Sequence, residues 1–179
     1  MKKRDLCGGA LLFAYLLAVG FLTGPSIFQL LIGRLPGVRL ELIPFVDVLK
    51  VLSDANTPGL GVFANIAGNV LMFVPLGVML PLFWPWFSSL RRTVLWGFGM
   101  SVSIELIQMI SGGVTSVDDV LLNTLGALVG YLCAVGLLRL FPRLRPVVAA
   151  GRAEWRWPLL LWIVVIIVFT AVDFSVLIG

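Results

Sequence analysis

The sequence has no histidine and little charge, with 13 basic and 9 acidic residues among 179. Without imidazole, a Ser-His-Asp relay, a histidine-ligated haem and most catalytic zinc sites are excluded. Any chemistry falls to carboxylates, amides, hydroxyls or a bound ion. Cysteine is scarce too: Cys7 and Cys133 both fall inside expected membrane spans, lack metal-ligand spacing, and read as free thiols. Only 12% of residues are charged, 60% are hydrophobic, and the mean hydropathy is +1.08. That balance is too apolar for a soluble domain of this length and predicts an all-α integral membrane protein forming a single domain over residues 1–179.

Apolar runs at Leu6–Thr23, Val62–Trp84, Val94–Ile110, Val117–Phe141 and Pro158–Ile178 each approach the ~20 residues that a helix needs to cross a bilayer, so five spans are expected. Lys2-Lys3-Arg4 imitates the basic start of a secretory signal, but Ala18-Val19-Gly20 is a poor cleavage site, and the first span is read as retained. Ten basic residues, among them Arg91, Arg92, Arg139 and Arg143, fall in the N-terminal tail and alternate loops, leaving Arg34, Arg39 and Lys50 for the other side. The positive-inside rule then puts the N-terminus inside and the C-terminus outside a bacterial cytoplasmic membrane. Basic residues so placed are topology signals and contacts for lipid headgroups, and no nucleic-acid partner is expected.

Between the first two spans, Pro44 to Asp54 sets Asp47, Lys50 and Asp54 on one stripe of an otherwise apolar segment, predicting an amphipathic helix at the outer surface. In the second span Asn65 and Asn69 are four residues apart and share a face, and Pro75 frees a carbonyl one turn earlier that neighbouring helices must satisfy. The third span carries Ser101, Glu105 and Gln108 on one face, with Glu105 about 7–8 Å below its outer end at 1.5 Å per residue. The short connection Ser111 to Ser116 forces the third and fourth spans into an antiparallel hairpin. Ser116 is an expected cap, Asp118 and Asp119 lie in the first helical turn, and Asn123 follows one turn below. Gly126 and Gly130 then read as a close helix-packing pair.

With this topology Asn65, Asn69, Glu105, Gln108, Asp118, Asp119 and Asn123 all fall in the outer third of three spans, where turning toward one another spares them from lipid. Three roles are open to such a set. Glu105, Asp118 and Asp119 could share protons as an ionisable catalytic centre, with Asn65, Asn69, Gln108 and Asn123 binding substrate. The same three carboxylates could hold a divalent cation such as Mg²⁺ or Ca²⁺ through oxygen ligands, although no cofactor is required. The whole set could also simply hydrogen-bond the helices together.

These residues resemble the VanZ family of small membrane proteins, named for a teicoplanin-resistance determinant. The resemblance runs from about Arg39 to Tyr131 in three blocks in family order. They are Leu42-Ile43-Pro44-Phe45; Asn65 through Gly77 with Asn69, Phe73 and Pro75; and Glu105-Leu106-Ile107-Gln108 followed by Asp118-Asp119-Val120-Leu121-Leu122-Asn123-Thr124-Leu125-Gly126 and Gly130. The family commonly has an Arg after the Glu-x-x-Gln helix and a further acid before the Asp-Asp pair, where this chain offers Gly113 and Ser116. Glu41 stands where an Asn often precedes Ile-Pro-Phe. Loss of an Arg that could grip an anion bidentately leaves a more acidic pocket, suited to a cationic partner, a protonated carboxylate or an ion.

The resemblance implies a protein acting at the outer leaflet on a lipid or lipid-linked envelope precursor, with glycopeptide resistance of the teicoplanin type as a consequence. Whether a reaction is catalysed stays open. Alternatives are a proton-coupled small lipid or solute carrier, which five spans would support only as a homodimer, and a non-catalytic accessory protein. The orientation has its own test. In a Cys-free background, Ser111→Cys is expected to react with an impermeant thiol reagent in intact cells and Ser89→Cys only after permeabilisation; the reverse pattern would overturn the outer-leaflet placement.

Overall fold

In hydrocarbon every backbone N–H and C=O must be satisfied within the chain, and long apolar runs meet that demand as helices. The computed structural model describes residues 3–24, 26–33, 37, 39–45, 60–144 and 156–178. Within them the order is α1 (Lys3–Thr23), a short α2 (Phe28–Leu31), β1 (Arg39–Glu41), α3 (Leu60–Phe83), α4 (Leu90–Ser111), β2 (Val114–Ser116), α5 (Val117–Leu140) and α6 (Arg156–Ile178). Five of these, α1 and α3 to α6, are long and apolar enough to cross a membrane. Their apolar windows bury only 22–39% of their residues inside the protein. Exposed side chains such as Phe21, Leu71 and Ile167 therefore cover the outside of the bundle, the reverse of a water-soluble surface.

The expected spans all appear, with shifted ends. The third helix begins at Leu90, so Arg91 and Arg92 belong to its first turn and not to the preceding loop. Of the expected amphipathic segment only Pro44 and Phe45 are described, as a turn; residues 46–54 lie outside the described set. The helix α3 continues through Pro75 and Pro81. Near the carbonyl that Pro75 frees, the Tyr15 hydroxyl donates to the Met72 carbonyl at 2.7 Å.

The tightest seam joins α3 to the parallel α5. A Cβ added at Gly126 would fall on the Val70 carbonyl, one at Gly130 on the Val74 carbonyl, and one at Gly77 on the Ala127 carbonyl. The Gly126–Gly130 pair expected to pack closely does so, and backbones meet where side chains would otherwise intervene. Around this seam Phe73, Leu76, Leu80, Met100, Ile104 and Ala127 join Leu12, Leu16 and Val19 of α1 and Trp162 and Val165 of α6 in one core.

One element had no signal in the sequence. The connection after α4 contains β2, which pairs in parallel with β1 so that Arg39, Leu40 and Glu41 face Val114, Thr115 and Ser116. The turn between α4 and β2 is shaped by glycine. Gly112 adopts φ +88° and directs its N–H to the Gln108 carbonyl, which Gly113 N–H also reaches at 2.8 Å. This is the left-handed helix ending that glycine favours. The Ser111 hydroxyl donates to the Ser26 carbonyl at 2.5 Å, so exposed Val114 is a further labelling position at this end of the bundle.

The seam yields a stability contrast. Gly126→Ala places a methyl against backbone and should destabilise the protein by about 1–3 kcal/mol, the usual cost of overpacking. Gly136→Ala meets nothing within 4 Å and should leave the thermal midpoint in detergent unchanged or slightly raised. Equal midpoints for the two variants would contradict the close approach.

Candidate functional site

Burying a carboxylate in an apolar bundle is costly unless donors meet it, so the donors define the site. Glu105, on α4 two turns from its end, is 4% exposed, and its Oε2 accepts the Ser116 backbone N–H at 2.8 Å. The Thr115 hydroxyl donates to the Glu105 carbonyl at 3.1 Å, so side chain and backbone of one residue together hold the strand that leads into α5. Ser116 occupies the N-cap position of α5, but its side chain makes no capping hydrogen bond there. Its contribution is the N–H offered to Glu105.

Two residues later the first turn of α5 presents Asp118 and Asp119. Asp118 is 5% exposed and its Oδ1 accepts the Phe45 N–H at 2.5 Å. Phe45 sits at φ +66°, a region that costs a bulky residue about 1–2 kcal/mol. Phe45 follows Pro44 in a turn, and its N–H meets the carboxylate. Asp119 accepts the Asn69 amide of α3 at 2.6 Å. Asn69 and Asp119 thereby tie α3 to α5, as Glu105 ties α4 to the segment that enters α5.

Asn123, one turn deeper, is 1% exposed and donates its Nδ2 to the Ser101 Oγ at 2.9 Å, while its Oδ1 has no partner. Turning the amide over would pair Oδ1 with the serine and orphan the NH₂ group instead. In either orientation a fully buried polar atom points away from Ser101 without a partner, an arrangement that native interiors rarely tolerate without a role.

Of the seven sequence candidates, the structure joins Asn69 directly to Asp119, sets Asn123 against Ser101, and holds Glu105 and Asp118 on the Ser116 and Phe45 backbone N–H groups. Gln108 turns instead toward α1, donating Nε2 to the Thr23 carbonyl at 3.3 Å. Asn65, one turn beyond Asn69, is exposed. Among the described residues no three His, Cys, Asp or Glu side chains form a group that could hold a metal ion. Glu105, Asp118 and Asp119 are held by separate donors and do not present a joint set of oxygen ligands. Sequence reasoning missed the backbone donors Ser116 and Phe45, because an N–H carries no residue-type signal. Ser101 was legible, four residues before Glu105 on the same face.

The Phe45 clasp separates backbone from side-chain effects. Asp118→Ala leaves that N–H without its acceptor and should cost about 1–3 kcal/mol in detergent, whereas Asp118→Asn keeps an acceptor and should cost less. Phe45→Gly relieves the left-handed conformation and should hold or raise the midpoint. A loss in Phe45→Gly as large as that in Asp118→Ala would contradict the clasp.

Comparison with known proteins gives one match. The family model VanZ/LLP1 matches residues 10–141, which takes in α1 from residue 10 onward, β1 and all of α3 to α5, the helices that carry the carboxylates. No curated protein and no solved structure matches the chain. The matched segment covers about three quarters of the sequence and extends the three-block resemblance toward both termini. A multi-pass membrane protein with this bundle, this carboxylate cluster and this match belongs to the VanZ/LLP1 family.

Proposed function

We propose that the chain acts at the outer leaflet of a bacterial cytoplasmic membrane on a lipid or lipid-linked cell-envelope component, with reduced sensitivity to glycopeptides of the teicoplanin type as a consequence. The observation that carries this reading is the set of buried polar side chains at one end of the bundle, above all Asn123, which reaches Ser101 and leaves one amide atom unpartnered. A bundle held together only for stability gains nothing from an orphaned buried amide, which costs about 1–3 kcal/mol. A hydrogen-bonding ligand arriving from the membrane interface would remove that cost. Family membership supports the envelope connection, and the distribution of basic residues supports the outward orientation.

Within this proposal Glu105 and Asp119 form the ionisable centre, Asp118 fixes the lip of the site through Phe45, and Asn69 and Asn123 orient the substrate. Gly113 stands where an Arg could have gripped an anionic headgroup bidentately. A second reading is favoured by one fact: each of the three carboxylates already accepts a hydrogen bond that ties two segments together. On that reading the cluster is architectural and the protein an accessory one.

Neutral isosteres divide the two. Glu105→Gln and Asp119→Asn keep an acceptor oxygen for Ser116 and Asn69, so membrane levels should stay within about two-fold of wild type. Complementation of glycopeptide resistance is expected to fall to background in both. Full resistance at normal membrane levels would leave only the architectural reading.

A further inference from the structure

At the end of the bundle opposite the carboxylates, two cavities lie against the start of α4. One, of about 380 Å³, is walled by Trp86, Arg91, Arg92, Leu95 and Trp96. The other, of about 270 Å³, begins at the shared Leu95 and Trp96 and runs along the seam between α4 and α6, past Gly99 and Met100 to Leu159 and Trp162. Together they make a groove that is basic and aromatic at its mouth and hydrocarbon along its length.

Both parts are ordered by internal contacts. The Arg92 guanidinium lies 5.0 Å over the Trp86 ring and donates to the Trp86 carbonyl at 3.1 Å, which fixes a cation at the mouth. In the seam, the Ser103 hydroxyl donates to the Met100 carbonyl at 2.6 Å and accepts the Trp162 indole N–H at 2.9 Å. These polar groups are thus satisfied by the protein itself, and what remains for an occupant is apolar surface. A Cβ on Gly99 would meet nothing within 4 Å, so the groove is open at that level.

The placement of the two arginines also suits an anion. They stand in the first turn of α4, where the helix dipole disfavours cations. A topology signal requires positive charge somewhere near the membrane, but not at a helix start beside a cavity. Guanidinium groups at that position match a phosphate bidentately, and flanking tryptophans suit the headgroup level of a bilayer.

We propose that this groove holds one anionic phospholipid, its phosphate against Arg91 and Arg92 and an acyl chain along Leu95, Gly99 and Trp162. The site is separate from the carboxylate cluster and does not depend on what that cluster does. Its charge and length select a phosphodiester lipid with a net negative headgroup over a zwitterionic one of the same chains.

The test is native mass spectrometry of the full chain in detergent, titrated with phosphatidylglycerol or with phosphatidylcholine of matched acyl chains. One phosphatidylglycerol should be retained in preference to phosphatidylcholine, and the double variant Arg91→Gln/Arg92→Gln should reduce that retention roughly ten-fold. Gly99→Leu projects into open space, should keep the wild-type thermal midpoint, and should also reduce retention by occupying the groove. Equal retention of the two lipids, or wild-type retention of phosphatidylglycerol by folded Gly99→Leu, would overturn the proposal.

Discussion

The hydrogen bond from the Ser116 N–H to the Glu105 carboxylate sets the geometry on which the hairpin end of the molecule depends. It closes the connection between α4 and α5, aligns β2 for its parallel pairing with β1, and delivers Asp118 and Asp119 at the start of α5. The β pairing in turn brings residues 39–45 over the helix ends, where the Phe45 N–H meets Asp118. In an apolar bundle a carboxylate without donors would be too costly to keep, so each acid here is placed by the backbone or amide group that receives it. Geometry of the fold and chemistry of the cluster are therefore set by the same few contacts.

The glycine seam supplies the other constraint. Because Gly77, Gly126 and Gly130 let α3 and α5 approach to backbone contact, Asn69 reaches Asp119 across the helices. Larger residues would separate the pair and break this interhelical hydrogen bond. The bundle is thus polarised along its length, with acids and amides at one end and arginines with tryptophans at the other. With five helices long and apolar enough to cross a membrane, those two ends face different headgroup layers.

Much of this was legible in the sequence because the bilayer simplifies the problem. Apolar run length gave the five helices, and helical spacing put Glu105 near Ser101 and Asn123 below Asp119. Convergence of Asn69 with Asp119 followed from topology alone. The β pair was not legible: Arg39-Leu40-Glu41 and Val114-Thr115-Ser116 are too short to show a period, and their pairing is set by chain segments distant in sequence. Gln108 was misplaced for a related reason. Its spacing put it on the face of Glu105, but a long side chain at a helix end reached the Thr23 carbonyl of α1 instead. Start positions also moved by a few residues, and for Arg91 and Arg92 that shift changes a loop charge into a helix-start charge beside a groove.

The central claim is that the carboxylate end of the bundle engages a lipid-linked envelope component, and photo-crosslinking tests it most directly. A benzophenone amino acid placed at exposed Asn65, one turn from Asn69, samples the mouth of the cluster, while one at exposed Ser89 samples the opposite end. With crosslinked lipids identified by mass spectrometry from intact cells, a lipid-linked envelope precursor is expected at position 65, absent at position 89, and lost from position 65 when Glu105→Gln is introduced. Recovery of bulk phospholipid alone at both positions, unchanged by Glu105→Gln, would contradict it.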